Sequence, residues 1–382
     1  MGIEQLRVEI DQLDENLVAL LARRAQLTAQ VGAHKRSHGL PLYAPDREAS
    51  LLAARRRQAR DAGVDPQLLE DVLRRIMRGA YSTQETGFPA TGDTQRRIVI
   101  VGGGGAMGGL LKSFFERSGY PVGVMEKTDW ADAEQHLAGA GLVLISVPIK
   151  DTCTVIAALP KLPPDCVLAD LTSIKQAPIE AMLRQHPGPV VGLHPMFGSD
   201  LCSLVKQVIV VCHGRGRGRY QWLLDQLTLW GAVLHEEPAD RHDQAMQVIQ
   251  AMRHFTTMVY GAFLHRQNAD LAHLLQLSSP IYRLELAMVG RLFAQSPDLY
   301  GDIMLQAEKL PQLILTYRQC LDELLAIIQT GQRDALIAHF AEIQNYFGDL
   351  AQDSLRESSE LLRKADDGRN PLELRQDTDS PR

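Results

Sequence analysis

The sequence predicts a multidomain protein: an all-α helical unit, then an α/β Rossmann-type parallel sheet, then an all-α helical domain. The N-terminal helical unit shows apolar residues at helical spacing. From residue 97, β-branched runs alternate with helical segments, as in a doubly wound sheet. Helical periodicity returns after Pro238 and continues without strand patterns. The predicted boundaries are 1–85 (first helical unit), 86–96 (linker), 97–237 (sheet domain), 238–365 (second helical domain) and 366–382 (disordered tail).

Composition narrows the class of protein. A formal net charge of -6 over 382 residues argues against a nucleic-acid or membrane partner. The chain lacks the run of about eighteen apolar residues that a membrane span needs. Its N-terminus is acidic and amphipathic, unlike a secretory signal. The 5 cysteines form no C-x-x-C pair, which is typical of a reducing compartment. We therefore expect a cytoplasmic protein.

The first helical unit begins with an unusually long helix, predicted over residues 4–36. A helix of this length has to bury its apolar stripe against a partner chain or against other long helices. A second helix is predicted over 46–62. The third starts at Asp65-Pro66, where an N-cap residue precedes a proline at the first helical position, and runs to about Thr83.

Four cations, Arg7, Arg24, Lys35 and Arg47, lie within these apolar-periodic helices or at a helix start. Unpaired buried charge is costly, so cations that point inward require an anionic guest. Arginine matches carboxylates bidentately, which favours a small dicarboxylate. For any one of them alone, an ordinary solvated cation is the better interpretation. The arginine clusters at 55–60 and 74–78 are interpreted as a solvated face.

A glycine-rich turn follows the strand pattern of residues 98–101. Gly103, Gly105 and Gly108 fit G-x-G-x-x-G: the first permits a tight turn, the second lets the backbone approach a pyrophosphate, and the third allows close helix packing. Glu126 ends the next strand about twenty residues later, where an acid holds a ribose 2′-hydroxyl and repels a 2′-phosphate. The pattern predicts NAD rather than NADP.

Polar residues follow several predicted strands at their carboxyl ends, where ligands sit in open α/β sheets. His194 comes directly after the strand 190–193 and before a proline, so we expect it on a loop at the sheet edge. Its ordinary pKa near neutrality suits a proton acceptor. Ser146-Val147-Pro148 and Lys175 follow two other strands.

Arg283 and Arg291 are eight residues apart on a later predicted helix and share roughly one face. One interpretation is that one or both are salt-bridged surface arginines.

Residues 4 to about 85 resemble the all-helical chorismate mutase family through Leu6-Arg7-x-x-Ile10-Asp11-x-Leu13-Asp14, Leu20-Leu21-x-Arg23-Arg24, Val31-Gly32-x-x-Lys35 and Pro45-Asp46-Arg47-Glu48. That family forms an interlocked helical dimer. The resemblance implies that substrate carboxylates are held by Arg7 of the partner subunit, Arg24 and Arg47. It implies that Lys35 and Gln84 donate to the ether oxygen and that Glu48 takes the substrate hydroxyl. Ala80 and Ala44 depart from the family, replacing a serine and an acid found in some members.

Residues 101–108, 146–148, 192–198 and 278–291 resemble the prephenate dehydrogenase family. Together the two resemblances cover residues 4–368 and imply a bifunctional, homodimeric enzyme of tyrosine biosynthesis. It would rearrange chorismate to prephenate and then oxidatively decarboxylate prephenate to 4-hydroxyphenylpyruvate. NAD would accept the hydride, and no metal would be required because aromatisation drives the reaction.

The same resemblance implies roles for individual residues. His194 would take the hydroxyl proton, oriented by Ser146. Arg291 would bind a prephenate carboxylate, assisted by Arg283, His242 and Lys175. His254 matches a position linked in the family to feedback inhibition by tyrosine. The implied cofactor contacts are Gly103, Gly105, Met107, Gly108, Glu126, Ser146 and Pro148.

Two other functions fit parts of the sequence. The first is a 3-hydroxyacid or imine dehydrogenase fused to a helical dimerisation unit; such enzymes typically use a catalytic lysine, not a histidine with Arg291. The second is a non-catalytic NAD-sensing regulator, for which the combination of Arg7, Arg24, Lys35 and Arg47 would serve no purpose.

Overall fold

The computed structural model describes residues 2–83, 87–201 and 203–367. The chain divides into two compact units, Met1–Gln244 and Ala245–Arg382.

Three helices open the first unit: α1 (Ile3–Ser37), α2 (Pro45–Asp61) and α3 (Pro66–Thr83). Each bound lies within one residue of the predicted one. The Asp65 carboxylate accepts a 2.9 Å hydrogen bond from the Gln67 amide, which confirms the predicted helix start. Helix α2 packs on α3. Within a single chain the apolar stripe of α1 remains exposed, with Leu6 at 43% and Leu13 at 66%.

The sheet of the first unit has seven strands: β1 (Ile98–Val101), β2 (Val122–Met125), β3 (Leu142–Ile145), β4 (Val167–Asp170), β5 (Val190–Pro195), β6 (Val208–Arg215) and β7 (Val233–Glu236). Their order is β2-β1-β3-β4-β5-β6-β7. Strands β1 to β5 run parallel, as predicted. Strand β6 is antiparallel to β5, and β7 is parallel to β6. The predicted parallel sheet is therefore confirmed for β1 to β5, whereas β6 and β7 run in the opposite direction. The segment 196–201 and 203–207 forms no crossover helix, so the chain reverses direction.

Helices cover both faces of this sheet: α4 (Ala106–Arg117), α5 (Ala133–Leu137), α6 (Ile149–Ala158), α7 (Gln176–Gln185) and α8 (Arg217–Leu229), followed by α9 (Ala239–Met246), with a 3₁₀ turn at Trp130–Asp132. Alternate strand residues point to opposite faces, so Ile100 and Val101 belong to different core clusters. One cluster contains Phe114 and Trp230, and the other contains Met182. This packed sheet fixes the strand ends that carry the candidate site.

The predicted linker is packed against the sheet domain over its described part. Phe88 is 6% exposed in the cluster that contains Trp230. The Thr91 amide donates to Oε1 of Gln226 at 3.0 Å. The loop between α1 and α2 is anchored in the same cluster, because Leu42 is only 2% exposed there and its amide donates to the Leu229 carbonyl at 3.3 Å.

The second unit is helical throughout its described residues, as predicted: a π-helical segment (Gln247–Met252), then α10 (Arg253–Arg266), α11 (Leu271–Leu277), α12 (Pro280–Phe293), α13 (Pro297–Leu305), α14 (Leu310–Thr330), α15 (Arg333–Phe347) and α16 (Asp349–Asp367). Helix α16 extends two residues past the predicted end, and the rest of the predicted tail, 368–382, lies outside the described residues. Across the described ranges, every helix is too short or too polar to cross a membrane.

Candidate active sites

The glycine loop joins β1 to α4 through a tight turn. Gly102 has a φ of +80°, and a Cβ there would lie 2.4 Å from the Ser146 carbonyl oxygen. The left-handed turn therefore falls at Gly102, and its predicted assignment to Gly103 is wrong. The reason is that the strand ends at Val101, so the next residue has to make the turn. Gly103 instead packs against Val124, whose Cγ2 would be 2.9 Å from an added Cβ.

Close packing also explains the later glycines. An added Cβ on Gly108 would lie 2.7 Å from the Gly102 oxygen and 2.8 Å from the Gly103 Cα, so only glycine fits, as predicted. Gly105 is the N-cap of α4, whose first turn carries no acidic side chain. Met107 packs against the core cluster that contains Phe114. The helix N-terminus that follows is an anion-binding site of the kind that accepts a pyrophosphate.

Glu126 closes the other side of this loop. Its Oε1 accepts a 2.6 Å hydrogen bond from the Gly104 amide, and its own amide donates to Asp129 Oδ2 at 2.8 Å. These contacts hold the carboxylate at the carboxyl end of β2, beside the glycine loop. The loop, the α4 N-terminus and this acid together fit a dinucleotide without a 2′-phosphate.

Ser146 and Pro148 lie at the same edge, after β3. The Ser146 amide donates to the Val101 carbonyl at 2.8 Å, and its Oγ lies 3.2 Å from the position of a Cβ added to Gly108. Pro148 is exposed at the N-cap of α6. Both residues therefore border the glycine loop, and the orientation of His194 by Ser146 stays a prediction.

His194 lies within β5 and not on a loop, because β6 returns alongside it and Val210 pairs with it. It is 4% exposed, and its Nδ1 lies 2.8 Å from Nε2 of His242. The Nδ1 of His242 is in turn 2.7 Å from Oδ1 of Asp243. The Asp243 carboxylate also accepts hydrogen bonds from the amides of Lys175, at 2.7 Å, and Gln176, at 3.0 Å. The start of α7 thus fixes this chain of three side chains.

The hydrogen-bond chain determines the tautomers. An ionised carboxylate only accepts, so Nδ1 of His242 carries the proton that it shares with Asp243. Nε2 of a neutral His242 then accepts from Nδ1 of His194. This leaves the lone pair of His194 on Nε2, the nitrogen that can take a proton. Burial, followed by the positive charge of Lys175, holds the pKa of His194 well below its usual 6.5, so the ring is neutral near pH 7.

Lys175 and Asp170 form an ion pair that is 0% exposed beneath this site, with Nζ 2.5 Å from Oδ2. Burial raises the pKa of Asp170 and lowers that of Lys175, while their mutual attraction opposes both shifts. The Lys175 Nζ also donates to the Leu193 carbonyl at 2.8 Å, one residue before His194. In this chain Lys175 is therefore an internal anchor, whereas the sequence predicted a substrate ligand.

Helices α1 to α3 bring together some of the four cations that the sequence predicted for this site. The Lys35 Nζ donates to the Leu42 carbonyl at 2.8 Å, and burial lowers the pKa of Lys35. Arg24 is half-buried, and its charge acts on the Tyr81 hydroxyl. Glu48 is 7% exposed, and its Oε2 accepts a 3.2 Å hydrogen bond from Tyr81.

Other members of the predicted set do not point inward within one chain. Arg7 is exposed and pairs with Glu4 at 2.7 Å, and Arg47 is exposed at the start of α2. The exposed position of Arg7 follows from the unpaired stripe of α1. Gln84 lies outside the described residues.

The arginine clusters at 55–60 and 74–78 were predicted to form a solvated face. Two of their arginines instead form ion pairs with buried carboxylates. Arg56 and Arg74 both donate to the 8% exposed Glu70, at 2.6 Å in each case. Arg74 also reaches Oε1 of Glu48 at 3.5 Å. Buried carboxylates on α2 and α3 attract these arginines.

In the second unit, Arg283 and Arg291 both lie on α12, as predicted. His254 is 4% exposed at the start of α10, directly after the π-helical segment. Its ring meets that of Tyr300 edge to face, with centroids 4.6 Å apart. Burial and the neighbouring Arg253 lower the pKa of His254 to about 4.

Sequence reasoning missed several residues at these sites. Asp243 could have been found, since it directly follows His242 and such pairs often orient imidazoles. Lys206, which binds Glu48 through an ion pair, had no local pattern to mark it.

Comparisons with known proteins agree with this geometry. Residues 6–85 match the family model for chorismate mutase type II. Residues 122–212 match that for the prephenate dehydrogenase nucleotide-binding domain, and residues 238–342 match its dimerization domain. The chain is 52% identical to the T-protein of Enterobacter agglomerans over 365 residues, which cover 95% of this chain and 98% of the relative. The chain belongs to the T-protein family.

T-proteins combine both domain families, so this chain is a bifunctional enzyme of tyrosine biosynthesis with chorismate mutase and prephenate dehydrogenase activities, as predicted. The T-protein of Haemophilus influenzae is 47% identical and covers 96% of this chain and 98% of its own length. The fold resembles the Aquifex aeolicus prephenate dehydrogenase solved with hydroxyphenyl propionate and NAD⁺, with a TM-score of 0.51, 19% identity, and coverage of 66% of this chain and 96% of that one. The two alternative functions are thereby set aside.

Proposed function

We propose that the first helical segment converts chorismate to prephenate and that the sheet domain, with NAD, oxidatively decarboxylates prephenate to 4-hydroxyphenylpyruvate. The observation that carries the proposal is the chain from His194 through His242 to Asp243, at the carboxyl end of β5. It presents a neutral imidazole on the sheet edge where such domains bind their ligands.

In the dehydrogenase reaction, Nε2 of His194 takes the proton of the C4 hydroxyl of prephenate. The Nδ1 proton of His194 then shifts toward His242, whose positive charge Asp243 stabilises. The glycine loop and Glu126 would hold NAD⁺, which would supply the acceptor for the hydride of C4. Loss of the ring carboxylate as CO₂ returns its bonding electrons to the ring, which becomes aromatic, and the ring oxygen takes back the proton from His194. Ser146 orients His194, Arg291 binds a prephenate carboxylate, and Arg283 assists.

In the mutase reaction no nucleophile is needed. The site holds the compact conformer of chorismate and matches the charge that develops on the breaking C–O bond. Arg7 of the partner subunit, Arg24 and Arg47 hold the carboxylates. Lys35 and Gln84 donate to the ether oxygen, and Glu48 accepts the substrate hydroxyl.

A homodimer is supported by the exposed apolar residues of a single chain. Leu6, Leu13 and Leu20 on α1 are 43%, 66% and 65% exposed, and Phe340 on α15 is 68% exposed. Surfaces of this kind are normally covered by another chain. Tyrosine is proposed as an inhibitor that acts through His254, and the enzyme is proposed to be cytoplasmic.

The test supplies chorismate and NAD⁺ and follows prephenate, NADH and CO₂ together, with and without tyrosine. We expect prephenate to appear first, with NADH and CO₂ following in equal amounts. Lys35→Ala should abolish prephenate formation while the dimer and the oxidation of added prephenate persist. NADH formation without CO₂ would contradict the proposed dehydrogenase reaction.

A further inference from the structure

The Glu48 carboxylate is buried at the start of α2 and needs a countercharge. It is 7% exposed, so an unpaired negative charge there would be strongly unfavourable. Tyr81 donates to Oε2 at 3.2 Å, but a hydroxyl supplies no charge. Arg74 reaches Oε1 only at 3.5 Å and makes shorter bonds, of 2.6 and 2.8 Å, to Glu70. Among the described contacts, the close countercharge is the Lys206 ammonium, which donates to Oε1.

Lys206 reaches this carboxylate from a distant part of the chain. The two residues are 158 positions apart, and Lys206 lies outside residues 6–85, which match the chorismate mutase family. It belongs to the connection between β5 and β6, which begins directly after His194 and Pro195. The mutase carboxylate is therefore paired with a lysine of the dehydrogenase part.

The backbone of Lys206 is held in an unfavourable conformation. Its φ is +66°, a left-handed value that residues other than glycine, asparagine and aspartate seldom adopt. Its amide donates to the Gly231 carbonyl at 3.0 Å, which fixes this backbone. The side chain then runs over the Tyr43 ring, with Nζ 5.2 Å from the centroid, in a cation–π contact. The turn and the ring together aim the ammonium at Glu48.

We propose that Lys206 is a positioning residue of the mutase site, which holds the Glu48 carboxylate in the orientation that accepts the substrate hydroxyl. The inference rests on the proposed role of Glu48. It means that the mutase site of this chain includes a side chain from the dehydrogenase part. Without Lys206, the carboxylate would turn toward solvent, and this would weaken its bond to the substrate.

The experiment compares Lys206→Met with Lys206→Arg in the full-length dimer. Arg75→Met is the matched control, because Arg75 lines the same cavity of about 560 Å³ as Lys206 and makes no described contact with Glu48. We expect Lys206→Met to lower mutase kcat/KM by about tenfold or more. Lys206→Arg should restore most of it. Arg75→Met, and prephenate oxidation in all three variants, should stay near wild-type values.

A double-mutant cycle with Glu48→Gln separates positioning from a general effect. If Lys206 acts through Glu48, Lys206→Met costs nothing further in the Glu48→Gln background. Equal losses in both backgrounds, equal losses from Arg75→Met, or a parallel fall of both activities with Tm would overturn the inference. Unchanged mutase activity in Lys206→Met alone overturns only this inference. Unchanged activity in Glu48→Gln overturns the proposed role of Glu48 as well.

Discussion

The imidazoles of His194 and His242 meet edge to face, with centroids 5.0 Å apart and an interplanar angle of 77°, and share a 2.8 Å hydrogen bond. Both rings are almost inaccessible to solvent, at 4% and 1% exposure. A proton that arrives on one ring is therefore passed to the other more readily than to water.

His194→Asn should abolish the dehydrogenase and spare the mutase. Asparagine keeps a polar side chain of similar reach but cannot accept the hydroxyl proton. General-base catalysis contributes about 10²- to 10⁴-fold, so prephenate oxidation should fall by that factor. NADH formation from added prephenate, with chorismate consumption as the internal control, measures the effect. Near wild-type oxidation would show that His194 is not the base.

Asp243→Asn should slow the dehydrogenase without weakening NAD⁺ binding. The amide no longer stabilises a positive charge on His242, so we expect kcat to fall by about tenfold or more. Stopped-flow measurement of NADH formation gives kcat, and cofactor titration gives the Kd. Asp225→Asn, at an exposed position on α8, is the matched control. A loss confined to KM for NAD⁺ would point to the cofactor site instead.

Glu126→Gln should weaken the preference for NAD⁺ over NADP⁺. The carboxylate attracts a ribose 2′-hydroxyl and repels a 2′-phosphate, and the amide does neither as strongly. We expect the ratio of kcat/KM for the two cofactors to shift toward NADP⁺ by about tenfold. Glu134→Gln, at an exposed position on α5, serves as the control. An unchanged ratio would remove Glu126 from the ribose site.

Asp170→Asn should destabilise the first unit strongly. It leaves the Lys175 ammonium fully buried without its counterion, a change that costs about 3–5 kcal/mol in other proteins. Thermal unfolding of the variant measures the loss. The double variant Asp170→Asn with Lys175→Met should recover part of it, because the unpaired charge is gone. A double variant as unstable as the single one would mean that the loss is not electrostatic.

His254→Gln should flatten the acid side of the stability profile. The pKa of His254 lies near 4 in the folded protein and near 6.5 when the chain is unfolded. Between these values the unfolded chain binds more protons, so the free energy of unfolding of the wild type falls as the pH drops from 6.5 to 4. Urea unfolding at several pH values gives the slope. His265→Gln, at an exposed position, should keep the wild-type slope, and parallel profiles for all three proteins would refute the buried assignment.

The sequence alone predicted local structure well wherever the cause is local. The Asp65-Pro66 pair located the start of α3, because capping and proline geometry depend only on neighbouring residues. The close packing at Gly108 was also predicted, because the backbone atoms that it contacts belong to Gly102 and Gly103, a few residues earlier in the chain. The register of the turn was wrong by one glycine, since four glycines in succession leave the choice to where the strand ends.

Relationships between distant segments were harder to predict. The antiparallel direction of β6 could have been predicted, because the sequence shows no helical pattern between His194 and Val208 that could form a crossover helix. No sequence pattern predicts the ion pair between Glu48 and Lys206, because it depends on a left-handed backbone at a lysine and on the contact between two domains. Sequence patterns register neither of these.

Leu42 inserts its side chain among the aromatic residues beneath the sheet, although it belongs to the loop that follows α1. Removing α1 to α3 with their connecting loops would leave a cavity the size of a leucine side chain in the hydrophobic core of the sheet domain. Removing the sheet domain would expose the apolar side chain of Leu42 to water. The first three helices and the sheet domain therefore stabilise each other through this contact. Any evolutionary separation of this gene into two would first have to repack that contact.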